Sequence, residues 1–123
     1  MNNVKNPGLL VSQWFHYREV HHDRRNLVLH VLTVPVFMAG TVALALAPVV
    51  SGWLALGGVF AMLGAMAAQG RGHRFEQSPP APFRGPMDVV ARIFAEQWIT
   101  FPRYVLSGEL GRALRRLTTN PGR

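Results

Sequence analysis

Five histidines stand in a chain of 123 residues, and their placement is the first sign of chemistry. His16, His21, His22 and His30 fall in one short stretch, and His73 stands far downstream with Glu76 three residues beyond it. Imidazoles with a carboxylate and no thiolate form a nitrogen and oxygen donor set that suits Fe(II), Zn(II) or another divalent ion of that preference. The chain has no cysteine, so disulfides and thiolate ligands are excluded. His30 carries the strongest claim of the five. It lies inside an uncharged apolar segment, where an ionisable side chain is expensive and marks function by default. His16 and His22 read instead as headgroup or interface contacts.

Spacing limits which groups can meet. Asn26 and His30 are four apart and share a helix face. His21 and His30 are nine apart, which on one straight helix is about 2.5 turns and points them to opposite sides. They converge only if the chain breaks between them. The segment His22-Asp23-Arg24-Arg25 offers that break, with Asp23 placed to cap the following helix. A site from His21, His30, His73 and Glu76 is then available, although spacing alone does not require it.

The elements that would position these groups are apolar helices. From Asn26 to Gly70 no residue carries a formal charge, and over the whole chain charged residues make up 15%, against roughly 25% in soluble domains. A soluble helix needs a polar face, and residues 27–47 have none beyond His30 and two threonines. A bilayer core takes about 20 apolar residues of helix. Residues 27–47 supply one span and 52–68 a second, joined by Pro48-Val49-Val50-Ser51-Gly52. So short a connection makes them antiparallel neighbours, which brings the start of the first and the end of the second, and so His30 and His73, to one side. Rows of small residues, Ala39, Ala43 and Ala47 against Gly57, Ala61 and Ala65, would let them approach closely. The expected fold is all-α: a single membrane domain over 1–123, with an antiparallel transmembrane hairpin and flanking interfacial amphipathic helices.

The net charge of +7 would ordinarily raise nucleic acid as a partner. Here many of the cations flank the spans instead: Arg18, Arg24 and Arg25 precede the first, and Arg71, Arg74 and Arg84 follow the second. The connection between the spans is uncharged. This positive-inside pattern predicts a multi-pass chain with both termini in the cytoplasm, and no nucleic acid. The first apolar run begins too deep to be a cleavable signal peptide.

Outside the spans, residues 1–8 read as a lead-in and 9–22 as an interfacial helix carrying Trp14, Phe15 and Tyr17. Pro35 predicts a kink in the first span. Gly70 and Gly72 predict the end of the second. Ser78-Pro79-Pro80-Ala81-Pro82 is a loop. Pro86 opens an interfacial helix over about 86–101, with Asp88, Arg92 and Glu96 on its polar side, which Pro102 interrupts. Glu109–Leu117 reads as a peripheral basic helix, with a frayed tail after Thr118. The apolar surface around Ile93 and Trp98 would suit a second copy, so a homo-oligomer is a further expectation.

The residues also form an ordered pattern: Tyr17-x3-His21-x4-Asn26-x3-His30-x4-Pro35, then Gln69-x2-Gly72-His73-x2-Glu76 and the pair Pro80-Ala81. Over roughly residues 12–108 this resembles the 2-hydroxy fatty acid dioxygenase family, also catalogued as domain of unknown function 962. The resemblance implies an Fe(II)-dependent membrane oxygenase that shortens 2-hydroxy fatty acids by one carbon in α-oxidation, with dioxygen as co-substrate. It implies His21, His30 and His73 as catalytic, iron-binding residues. Glu76 would be a further ligand or a supporting partner, and Tyr17, Asn26 and Gln69 supporting partners. Arg71, Arg74 or Arg84 would pair with the substrate carboxylate. The same ligands would also serve another metal-dependent lipid hydroxylase or hydrolase. A non-enzymatic membrane subunit or scaffold is the remaining alternative, and metal content separates it from the enzymes.

Overall fold

In the computed structural model, residues 8–119 are described. The lead-in before Gly8 and the tail beyond Thr119 lie outside them. Among the described residues every regular element is helical: α1 (Leu9–Val20), α2 (Arg24–Leu46), α3 (Gly52–Gly72), a 3-10 turn (His73–Phe75), α4 (Pro86–Ala95), a π-helical turn (Glu96–Thr100), α5 (Phe101–Leu106) and α6 (Glu109–Thr119).

The break between α1 and α2 has a local cause. Asp23 takes an extended backbone and its carboxylate accepts from the Arg25 amide at 2.8 Å, capping α2. Ser51 caps α3 in the same way, accepting from the Trp53 amide. α2 continues as one helix through Pro35. α3 runs past Gly70 to Gly72, longer than the expected 52–68, and the 3-10 turn then carries His73.

α2 and α3 pack on each other along their lengths. The residue pairs in contact run in opposite order on the two helices: Gly72 beside Asn26, Gln69 bonded to Thr33, Gly58 against Gly40. The backbones come close at the two glycines. A Cβ on Gly40 would sit 2.7 Å from the Gly58 carbonyl oxygen, and one on Gly58 2.6 Å from that of Gly40. The expected small-residue rows are therefore corrected by one position at their ends. Ala39 and Gly57 face outward, and Gly40 and Gly58 replace them, because only a residue without Cβ fits where backbones touch.

Two helices are long and apolar enough to cross a membrane, Arg24–Leu46 and Gly52–Phe75, and only 28% and 17% of their most apolar windows are buried. Leu32, Trp53, Phe60 and Leu63 are all exposed. The core lies at the other end of the molecule. Tyr17, Leu27, Val34, Phe101, Tyr104 and Ala113 are buried together, with Trp14, Leu110, Leu114 and Leu117 packed around them.

Two sequence expectations change here. Pro102 does not interrupt its helix, which continues to Leu106. The π turn precedes it, with the Phe101 amide bonding the Glu96 carbonyl five residues back, so the missing proline N–H falls in an already rearranged ladder. α6 is not peripheral: Ala113 is 5% exposed and its leucines close the core.

Candidate metal site

The break at Asp23 brings His21 and His30 together. His21 ends α1, and its Nδ1 lies 3.0 Å from the Tyr17 carbonyl. His30 lies two turns into α2, fully buried, with Nδ1 2.9 Å from the Asn26 carbonyl. A carbonyl only accepts, so in both rings Nδ1 carries the hydrogen and Nε2 presents a lone pair. The two Nε2 atoms face each other at 3.1 Å. His73, delivered by the 3-10 turn after α3, closes the third side. Its ring centroid is 4.7 Å from that of His21 and 5.2 Å from that of His30.

The fourth member is Glu96, from the first position of the π turn. Its Oε1 is 3.3 Å from His21 Nε2 and 3.6 Å from His30 Nε2. Although the side chain is about a quarter exposed, this oxygen is buried and makes no hydrogen bond, and buried His73 Nδ1 likewise has no partner. One ligand atom from each of His21, His30, His73 and Glu96 lies within 4.8 Å of the others, so the group could hold a metal ion. Two ligands at about 2 Å from one ion are at most about 4 Å apart, a small adjustment from this spread.

The donor chemistry fits a cation. Two bare nitrogen lone pairs at 3.1 Å repel unless positive charge sits between them, and a buried carboxylate adjoins them. Burial depresses the His21 pKa, with the Glu96 contact opposing it, so the ring stays neutral and ready to ligate. Burial acts to raise the Glu96 pKa, but positive charge at the His21 and His30 nitrogens, a proton's or a bound ion's, outweighs it and holds the carboxyl below the usual range. Burial foremost, and then the nearby Glu96 charge, raise the Tyr17 phenol well above its ordinary value. Three imidazoles and a carboxylate suit Fe(II) or Zn(II).

Glu76 stands elsewhere. Its Oε1 accepts from the Asp23 amide at 2.8 Å and from Asn26 Nδ2 at 2.9 Å, and Asn26 Nδ2 also reaches the Val20 carbonyl. Glu76 and Asn26 thus clamp the α1–α2 break to the end of α3, and it is Glu96 that joins the histidines. Tyr17 stacks on His21, with centroids 3.8 Å apart and planes 5° from parallel. Gln69 is further off. It pairs reciprocally with buried Gln97, at 3.0 and 2.7 Å, and donates to Thr33. Thr100 in turn donates to Gln13, which donates to the Arg92 carbonyl. This amide network fixes the π turn against α1, α2 and α3.

Two cavities adjoin the site. One of about 570 Å³ is lined by α1, by the 80–84 loop with Arg84, and by His21, His73 and Glu96. The other, of about 590 Å³, is lined by Met66, Gly70, Arg74 and Ile93 together with His73 and Glu96. Of the expected carboxylate partners, Arg84 borders the first cavity and Arg74 the second, whereas Arg71 is exposed on α3 and borders neither. His16 is exposed and contacts Glu19.

Sequence reasoning placed Glu96 on the polar side of its helix but not at the site. Its usable signal was an acid adjoining Gln97 and two turns past Asp88, on a helix whose other face is apolar. Nothing local marked the π turn that orients it. Arg92, which holds the loop through the Ala81 and Pro82 carbonyls, was also missed as a site-building residue.

Neither a curated protein nor a solved structure matches the chain. A family match covers residues 9–102, which include every member of the four-residue group. By that match the chain belongs to the Mpo1-like family, described as 2-hydroxy-palmitic acid dioxygenase Mpo1-like.

Proposed function

We propose that this chain is an Fe(II)-dependent membrane dioxygenase that shortens 2-hydroxy fatty acids by one carbon, releasing the carboxyl carbon. The observation that carries the proposal is the convergence of His21, His30, His73 and Glu96 on one buried point, in a chain of this family. Iron(II) bound there would supply the one-electron chemistry that dioxygen requires.

The chain's own residues do the rest. Tyr17 and Asn26 carbonyls fix the His21 and His30 tautomers, so both present Nε2 without reorganising. Glu96 brings a negative charge that offsets that of a divalent ion. Tyr17, stacked on His21 and backed by the buried core, holds that imidazole in place. Arg84 and Arg74, at the borders of the two cavities, are the cations placed to receive the substrate carboxylate.

We place α2 and α3 across the bilayer as a transmembrane hairpin within a single membrane domain, with the site at the arginine-rich end and both termini cytoplasmic. The exposed apolar surfaces of both helices support this reading. A substrate with an acyl chain and a polar head then meets the site at the membrane boundary.

The test is anaerobic loading with Fe(II) in detergent, addition of 2-hydroxyhexadecanoic acid, and exposure to oxygen. Oxygen uptake with appearance of the acid one carbon shorter is the expected result. Bound metal with no oxygen uptake would overturn it in favour of another metal-dependent lipid enzyme.

A further inference from the structure

The two cavities differ in kind. Ser12, Gln13, His16, Arg84 and Asp88 give the first one more polar groups, beside apolar Leu9, Val20 and Phe83. The second is lined more by apolar surface: Met66, Gly70 and Ile93 line it together with Phe83 and two prolines, and Gln69, Arg74, Glu76 and Gln77 add polar groups. Met66, Gly70 and His73 are spaced four and three apart, so they form one stripe on the side of α3 and its following turn. Ile93 and Glu96 form the facing stripe, three apart, on α4 and the π turn. From Met66 to His73 the rise is about 10 Å at 1.5 Å per residue. The track therefore leads from the candidate metal site down into the uncharged part of α3.

Gly70 is the gap in this wall. A Cβ built on it meets nothing within 4 Å, whereas those on Gly40, Gly58 and Gly72 would all collide. Its missing side chain is thus not needed for helix packing. The space in front of it belongs to the cavity that His73, Met66 and Ile93 also line.

We infer that the substrate's acyl chain lies in this second cavity, along Met66, Gly70 and Ile93, and that Gly70 is the residue that admits it. The inference rests on the reading of the site as one for 2-hydroxy fatty acids and adds the chain's path. The head stays at His73 and Glu96, and the first cavity, the richer of the two in polar groups, is left to water, dioxygen and the leaving carbon.

Photocrosslinking tests this without turnover. A 2-hydroxyhexadecanoic acid carrying a diazirine at mid-chain is added to the full chain in lipid nanodiscs under anaerobic conditions. After irradiation the labelled residues are mapped by mass spectrometry, and hexadecane with the same diazirine serves as the headless control. The expected result is head-dependent labelling at Met66, Gly70 or Ile93. Gly70→Phe should reduce it at least fivefold while helix content and bound metal stay as in wild type. Head-dependent labelling at Leu9, Ser12 or His16 would overturn the path but leave the substrate reading standing. So would a correctly folded Gly70→Phe that labels as wild type does. Labelling no different from the headless control would overturn the substrate reading, and the path with it. Should Gly70→Phe lose its helix content, Gly70→Leu takes its place under the same criterion, and the wild-type map decides the path by itself.

Discussion

Gly72→Ala changes one hydrogen to a methyl group and should disturb the candidate metal site from behind. A Cβ at Gly72 would sit 2.4 Å from Asn26 Oδ1, 3.3 Å from Asn26 Cγ and 3.1 Å from Leu29 Cδ1. Asn26 is fully buried, and its Nδ2 holds both the Val20 carbonyl and the Glu76 carboxylate, so it cannot swing aside freely. Displacing it gives up one neutral hydrogen bond, about 1 kcal/mol, and one to a charged group, about 2 kcal/mol. Alanine recovers at most about 1 kcal/mol of helix propensity. The net expectation is a loss of about 2 kcal/mol, where an open helical glycine would show a gain. The assay is reversible unfolding in mixed micelles, followed by tryptophan fluorescence. A double-mutant cycle sharpens it. In an Asn26→Ala background the collision is gone, and Gly72→Ala should become neutral or slightly stabilising. Gly72→Ala at or above wild-type stability in the native background would refute the clamp argument.

Other expectations follow from the same geometry. Glu76→Ala should lower metal affinity about 10- to 100-fold by freeing the α1–α2 break, as loss of a supporting partner does, whereas Glu76→Gln keeps an accepting oxygen and should retain most of the affinity. Glu96→Gln should cost more than Glu76→Ala, and the reverse order, read by metal titration, would return Glu76 to the ligand set. Gly40→Ala would press a methyl onto the Gly58 carbonyl at 2.7 Å and should destabilise by about 1–3 kcal/mol. Gly57→Ala, which meets nothing within 4 Å, should be neutral or stabilising by up to about 1 kcal/mol in the same unfolding assay, and equal effects at the two sites would contradict the packing.

Much of this was legible in the sequence because the signals were local and strong. The charge-free run from Asn26 to Gly70 marked two apolar helices, Asp23 stood where a cap forms, and Ser51, read only as a turn residue, caps α3 as well. The nine-residue gap meant that His21 and His30 could meet only across a break, and the break lies where Asp23 caps α2. What was not legible depended on non-local fit. Which small residues meet, Gly40 and Gly58 rather than Ala39 and Gly57, follows from helix rotation, which a row of alanines does not set. Pro102 read as a stop because a π turn has no composition signature of its own. That turn is what turns Glu96 to the histidines and Gln97 to Gln69. Glu76 looked like the natural carboxylate because it is near His73 in sequence, and a clamp on a distant backbone amide is invisible at that level.

The central claim is that His21, His30, His73 and Glu96 hold one divalent ion. Metal content of the purified full chain, loaded with Fe(II) under anaerobic conditions and read by elemental analysis, tests it most directly. The account expects close to one equivalent in wild type, and far less in His30→Ala and in Glu96→Gln with helix content unchanged. A wild-type chain that binds no metal, or folded variants that bind as much as wild type, would contradict it.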